Sequence, residues 1–280
     1  MKASQSSPVV NSAPSIDEVN TADIPELAAY YKCTDYRNGV IPDHSGNGYD
    51  LSFICAKANN AIGDDVCGYL DAGISLVGDG YLAMTDGIAA VIDVAGTKLD
   101  TLGKYAIVVC EFYCDQASSD SDLGTAWQGS PNLTTDNVDL TGFQVQSVGV
   151  GIGTRVSWNE AKSSLSITAV TNVGETGVIA GCFDPSTALH GSISRFDSKG
   201  KLIALASSTT TTVQGTEITP IPASLDAQLG KFGLRATAIR NIPIKNYQVW
   251  TFDTEPLYMT ETLKWMAMNP GKIPTWWIGL

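Results

Sequence analysis

The chain has 280 residues, a formal net charge of −12 and 44% hydrophobic residues. Only 16% of its residues are charged, against about 25% in typical soluble domains, and 27 glycines help to fill the difference. So acidic a chain lacks the basic clusters that nucleic acid or anionic lipid would require, and its apolar content is enough for one large core.

Met1 to Ser7 is polar, with no apolar stretch of the kind a secretory leader carries, and no run approaches the ~18 apolar residues needed to span a bilayer. The expectation is a protein made in a cytoplasm. Residues 1 to 24 contain Pro8 and Pro14 and show no sustained periodicity, which reads as an arm or linker. From Ala28 onward the pattern is β. An apolar aromatic run, Leu27 to Tyr31, leads to Asp43-His44-Ser45-Gly46-Asn47-Gly48-Tyr49-Asp50-Leu51, where Asn, Asp and two glycines suit a tight turn with left-handed residues. Leu51, Phe53 and Cys55 then alternate, so the turn is expected to set the register of the first two strands.

Lys104 to Tyr113 is expected to be a central strand covered on both faces, and Leu165, Ile167 and Ala169 share one face of an alternating strand. Gly142 to Trp158 reads as one or two strands. Further strands are predicted at Thr176 to Phe183, Leu189 to Phe196, Leu202 to Ala206, Phe232 to Arg240 and Asn246 to Phe252. Asp197-Ser198-Lys199-Gly200 is predicted to be a hairpin turn, and Ser207 to Thr212 a polar connection. One helix is predicted from Thr260, as N-cap, to Met268, stopped by Asn269-Pro270-Gly271. About a dozen strands without strand–helix alternation predict an all-β, two-sheet antiparallel jelly-roll sandwich with one short C-terminal helix.

Two segments carry a resemblance. Tyr30-Tyr31 followed by Gly39 to Leu51 resembles the opening of concanavalin A-like, laminin G-like jelly rolls, where an aromatic strand precedes an Asp-x-Ser-Gly-Asn-Gly turn. Leu263 to Pro274 with Trp276 is similar to the helix and tail that close many such domains in tailed-bacteriophage genomes. The resemblance implies a laminin G-like domain over residues 25–280 and a phage particle as its setting, attached to tail, baseplate or capsid. The expected partners are other virion proteins, bound through residues 1–24, and a host-surface polysaccharide; a homo-oligomer within the particle is also expected. A purely architectural capsid decoration and a polysaccharide depolymerase are the alternatives.

Asp43, Ser45 and Asn47 overlap half of an EF-hand loop, but the twelfth position is Ile54 and the flanks are strands, so Ca²⁺ is the weaker reading of the turn. The acidic cluster Asp64, Asp65, Asp71 and Asp79 reads as solvated turns. Glycosidase-type Glu-x-Asp-x-x-Glu spacing is absent; Glu111 with Asp115, and Asp253 with Glu255, are expected to face solvent or turns, and no cofactor and no enzymatic activity are expected. His44 and His190 are too few for a triad or metal site, and Cys110 and Cys114 on one strand would lie about 13 Å apart. The six cysteines sit mostly in apolar runs and are expected to be free buried thiols. Trp127, and Trp158 beside Asn159, form the candidate glycan contacts, because an aromatic face next to an amide grips a sugar ring by stacking and hydrogen bonding. Trp276 and Trp277 are assigned to packing or an oligomer contact.

Overall fold

The computed structural model describes residues 15–21, 24–55, 73–84, 88–91, 105–114, 121–125, 128–129, 143–148, 152–158, 163–184, 188–210, 227–228, 243–256 and 258–274. Its strands are β1 (Leu27–Lys32), β2 (Val40–Ile41), β3 (Leu51–Cys55), β4 (Ile74–Val77), β5 (Tyr81–Met84) and β6 (Ile88–Val91). After these come β7 (Tyr105–Tyr113), β8 (Ser121–Thr125), β9 (Gln128–Gly129), β10 (Phe143–Val148), β11 (Ile152–Trp158) and β12 (Ser163–Thr171). The last are β13 (Thr176–Asp184), β14 (Ala188–Phe196), β15 (Leu202–Thr210), β16 (Ala227–Gln228) and β17 (Ile244–Phe252), followed by the helix α1 (Met259–Met268).

The main sheet runs β15-β14-β13-β7-β17-β5-β4, with β1 also on β17. One edge of β17 pairs with β7; the other is shared, Ile244 meeting Leu82 of β5 and Asn246 to Trp250 meeting β1. A second sheet, β12-β11-β10-β8, contacts β13 to β15, and β2-β3-β6 forms a third, so the expected all-β sandwich is observed. The run Tyr105 to Tyr113 lies at the centre of the main sheet, as its apolar sequence requires, with Ile107 to Cys110 and Phe112 all buried. On its odd-numbered side, Ile107 and Val109 join Val178, Ala180, Cys182 and Trp250 under Leu263, Met266 and Ala267 of α1. Gly177 has to be glycine: it pairs with Phe112, whose ring would lie 2.2 Å from a β-carbon there.

Several expectations change in detail. The turn joins β2 to β3, which pair directly (Val40 with Ser52, Ile41 with Leu51), and not the expected β1 to β3: β1 belongs to the main sheet through β17. β3 thus takes its register from β2 across the turn and from β6, whereas β1 takes its register from β17, distant in sequence. Gly46 and Gly48 do take the positive φ that the turn calls for, +84° and +77°. Strand β15 runs on to Thr210, so Ser207 to Thr210 are strand rather than connection, paired with Leu189 to Ser192 of β14. Thr260 lies inside α1, and the N-cap position is Tyr258, in left-handed conformation with no side-chain cap. The predicted strand at Phe232 to Arg240 lies outside the described residues.

Of the segment expected to be an arm, residues 15–21 pack on the domain. Ser15 caps a short 3-10 turn (Ile16–Glu18) with a reciprocal Glu18 bond, and Ile16, 1% exposed, enters the core under α1. The Ile16 N–H donates to Gly271 O at 2.9 Å, joining the segment to the Asn269-Pro270-Gly271 stop. That stop is built as the sequence suggests: the Asn269 side chain donates to Trp265 O at 2.9 Å, and Gly271 has φ +74°.

Candidate functional site

Asp43, Ser45 and Asn47 converge, but as a hydrogen-bonded knot. Asp43 Oδ1 accepts from the Tyr30 and Ser45 N–H groups at 3.0 and 2.9 Å. Its Oδ2 accepts from the Tyr49 N–H at 3.0 Å and the Ser45 hydroxyl at 2.7 Å. Asn47 Nδ2 donates to the Leu27 and Ala28 carbonyls, both at 3.0 Å. A cation needs carboxylate lone pairs turned toward it, and here four N–H and O–H donors occupy them; the donor set does not fit Ca²⁺. Among the described residues no three His, Cys, Asp or Glu side chains gather to hold a metal.

The other candidates divide. His44 Nε2 lies 2.8 Å from Asp35 Oδ2, and His190 Nδ1 lies 3.3 Å from Thr209 Oγ1 across β14 and β15. Cys33, Cys110, Cys114 and Cys182 are buried free thiols as expected, and burial pushes the Cys33 and Cys110 thiols well up, which keeps them inert. Asp253 and Glu255 are exposed. Trp158 ends β11 opposite Phe143 and Ser163, while Trp127 and Asn159, like Asp64, Asp65, Asp71, Asp115, Trp276 and Trp277, lie outside the described residues.

Glu111 is the correction that matters. It was expected at solvent or in a turn, yet it is 9% exposed and forms part of the wall of a cleft of about 490 Å³. The cleft opens at one end of the main sheet, between the β4–β5 turn (Gly78, Asp79), the β14–β15 hairpin (Asp197, Ser198, Gly200) and the segment after α1. The Tyr81 hydroxyl donates to Glu111 Oε1 at 3.3 Å and lies 3.0 Å from Thr176 Oγ1, and the Asn246 amide donates to Glu111 Oε2. The Tyr81 and Tyr113 rings are 5.5 Å apart at 40°. Lys245 Nζ sits 5.3 Å above the Tyr81 centroid. Burial, then the nearby Glu111 charge, push the Tyr81 phenol up to about 12, so it stays a hydroxyl donor at neutral pH. The sequence held one signal for this site: Glu111 falls in phase with Ile107 and Val109 on a strand expected to be covered on both faces, and a charge at an inward position asks for a reason.

One wall is stiffened by an ion pair. Glu175 accepts from Arg195 Nε and Nη2 at 2.9 and 2.7 Å and from Asn172 N and Nδ2, both at 2.9 Å, fixing the β12–β13 turn to β14. Burial works to raise the Glu175 carboxyl, and the bonds from Asn172 and Arg195 outweigh it, holding it below its usual range. A depressed carboxyl gives stability that is complete above the unfolded value near 4.5 and is lost as pH falls through the lower folded value. Arg195→Met should therefore cost ~2 kcal/mol at pH 7 and much less at pH 3, measured by urea unfolding; an equal cost at both pH values would contradict the assignment.

No family model matches the chain, and no curated protein matches it. Among solved structures, the chain is similar to a sialidase from Trypanosoma rangeli at 10% identity and TM-score 0.51, covering 87% of this chain and 33% of that one. It is also similar to domain 4 of AbnA, an extracellular arabinanase from Geobacillus stearothermophilus, in complex with arabinotriose (11% identity, TM-score 0.46, covering 85% and 98%). A carbohydrate esterase of the Shiga toxin-encoding bacteriophage phi24B gives 11% identity and TM-score 0.40, covering 80% and 98%. At these identities the likeness is one of fold alone, a β-sandwich. The expectation of no enzymatic activity is overturned, since the chain shares its fold with part of a sialidase and the fold therefore does not exclude catalysis. Among the described residues no helix is long and apolar enough to cross a membrane.

Proposed function

We propose that the protein is a glycan-binding β-sandwich module whose ligand site is the cleft of Tyr81, Glu111, Tyr113 and Lys245, carried on a tailed-phage particle. The observation that supports this reading is the cleft itself: a half-buried Tyr113 ring beside Tyr81, with a carboxylate, two hydroxyls and an ammonium within reach of one ligand. A sugar offers an apolar C–H face to stack and a rim of hydroxyls to hydrogen-bond, and the cleft supplies both kinds of partner. The particle setting rests on the resemblance of the two chain ends to phage jelly rolls, with attachment through the residues before Ser15 and assembly as a homo-oligomer.

Glycan-array binding tests the site. Tyr113→Ala should weaken binding at least ~5-fold, as expected when a stacking face worth ~1 kcal/mol is lost. Tyr113→Ala binding like wild type, while Trp127→Ala or Trp158→Ala abolishes binding, would move the site to the Trp127 and Trp158–Asn159 region. Reducing-end release from the same glycans, lost in Glu111→Gln, would add a cleavage step to the binding reading.

A further inference from the structure

The charge balance of the cleft is one-sided. Asp79, Glu111 and Asp197 bring three carboxylates to it, and Lys245 is the one cationic side chain among the described residues that line it. Asp79 is exposed on its turn, and Asp197 is held by the Lys199 and Lys201 N–H groups, both 2.9 Å from its Oδ1. Glu111 is the unusual member. It lies on the central strand, and the donors found on it, the Tyr81 hydroxyl and the Asn246 amide, are both neutral. Among the described residues no Lys, Arg or His nitrogen comes within 4.0 Å of it, unlike Glu175, which has Arg195. Each carboxylate oxygen can accept two hydrogen bonds, so Glu111 retains acceptor capacity toward the cleft. A carboxylate this buried is normally paired with a cation, because its desolvation is otherwise uncompensated.

The cleft already shows what it attracts. Lys245 holds its ammonium 5.3 Å over the Tyr81 ring, a cation–π arrangement next to Glu111. A sulfated or uronic-acid sugar would meet like charge here, and a neutral sugar would leave Glu111 without a counter-charge. An ammonium stacked on the Tyr81 ring is a precedent within the cleft for an organic cation. We propose that the cleft selects a protonated amine, so that its ligand is a glycan bearing free amino sugars. This rests on the cleft being the glycan site proposed above.

Two ligand sets of one backbone separate the ideas: glucosamine oligomers with free amines and their fully N-acetylated, neutral counterparts, titrated calorimetrically into the full chain. The free-amine set should bind at least ~10-fold more tightly at low ionic strength, with the preference shrinking in high salt. It should collapse in Glu111→Gln and fall in Asp79→Asn; the latter substitutes an exposed turn residue and keeps the test valid should the buried variant fold poorly. Equal affinity for the two sets, tighter binding of the acetylated set, or a preference unchanged in both variants overturns the amine assignment and leaves the glycan site standing. Binding of neither set, nor of any array glycan, overturns both.

Discussion

Asp43→Ala should destabilise the protein by about 3 kcal/mol, and Asp43→Asn should do nearly as much harm. The carboxylate of Asp43 satisfies three backbone N–H groups, those of Tyr30, Ser45 and Tyr49, and one hydroxyl. Removing a buried or half-buried acceptor costs the desolvation of each donor it leaves behind, at ~1–3 kcal/mol apiece, and water can recover part of that because the turn is partly exposed. Asparagine keeps one oxygen for one pair of donors but sets an NH₂ against the other pair, donor to donor, so most of what it restores is lost again. Tyr30 lies in β1 of the main sheet and Tyr49 leads into β3 of the small one, so the loss should loosen the junction between sheets. Urea unfolding measures the cost. A chelator added to wild type should leave the curve unchanged; a midpoint that falls with chelator would restore the Ca²⁺ reading of Asp43, Ser45 and Asn47.

The turn also marks how far the sequence is legible. Gly46 and Gly48 announce positive φ by chemistry alone, and the Asp197-Ser198-Lys199-Gly200 hairpin does the same, with Asp197 Oδ1 taking the Lys199 and Lys201 N–H groups. Both are local, and local chemistry can be read from adjacent residues. Strand existence is also local: Leu165, Ile167 and Ala169 alternate, and β12 is there. Strand partners are not. Nothing near Leu27 says that β1 pairs with Trp250 and Tyr247, more than 200 residues away, while the turn that follows joins β2 to β3 instead. The cleft is harder still, since Asp79, Glu111, Thr176, Asp197 and Lys245 come from five separated segments that meet only when β5, β7, β13, β14 and β17 are ordered side by side. What was readable was the conflict of Glu111 with its apolar strand. Trp127 and Trp158 drew notice because they are large aromatics, whereas a tyrosine pair across two strands has no sequence signature.

Trp250 is where the Ile16 segment, α1 and the main sheet meet, and Trp250→Ala should be the most destabilising single substitution in the domain, at ~3–5 kcal/mol. The side chain is fully buried on β17 in the cluster that holds Ile16 from the N-terminal segment, Leu27 and Tyr30 from β1, Ile107 from β7, and Leu263 and Met266 from α1. Alanine would leave a cavity lined by elements that touch through this cluster and cannot all close on it, because β17 is pinned between β7 and β1. The indole also donates to Gln248 Oε1 at 3.1 Å, so part of the loss is polar. Trp250→Phe separates the terms: it keeps most of the volume, drops that bond, and should cost ~1–2 kcal/mol. For a domain of this size each kcal/mol lowers Tm by ~2–4 °C, so the alanine variant should melt roughly 10 °C lower, with proteolysis reaching the Ile16 segment and α1 first. If Ile16→Ala in the Trp250→Ala background added its full single-variant cost, the two side chains would not be sharing one core, and the N-terminal segment would be held instead by the Ile16 N–H to Gly271 bond alone.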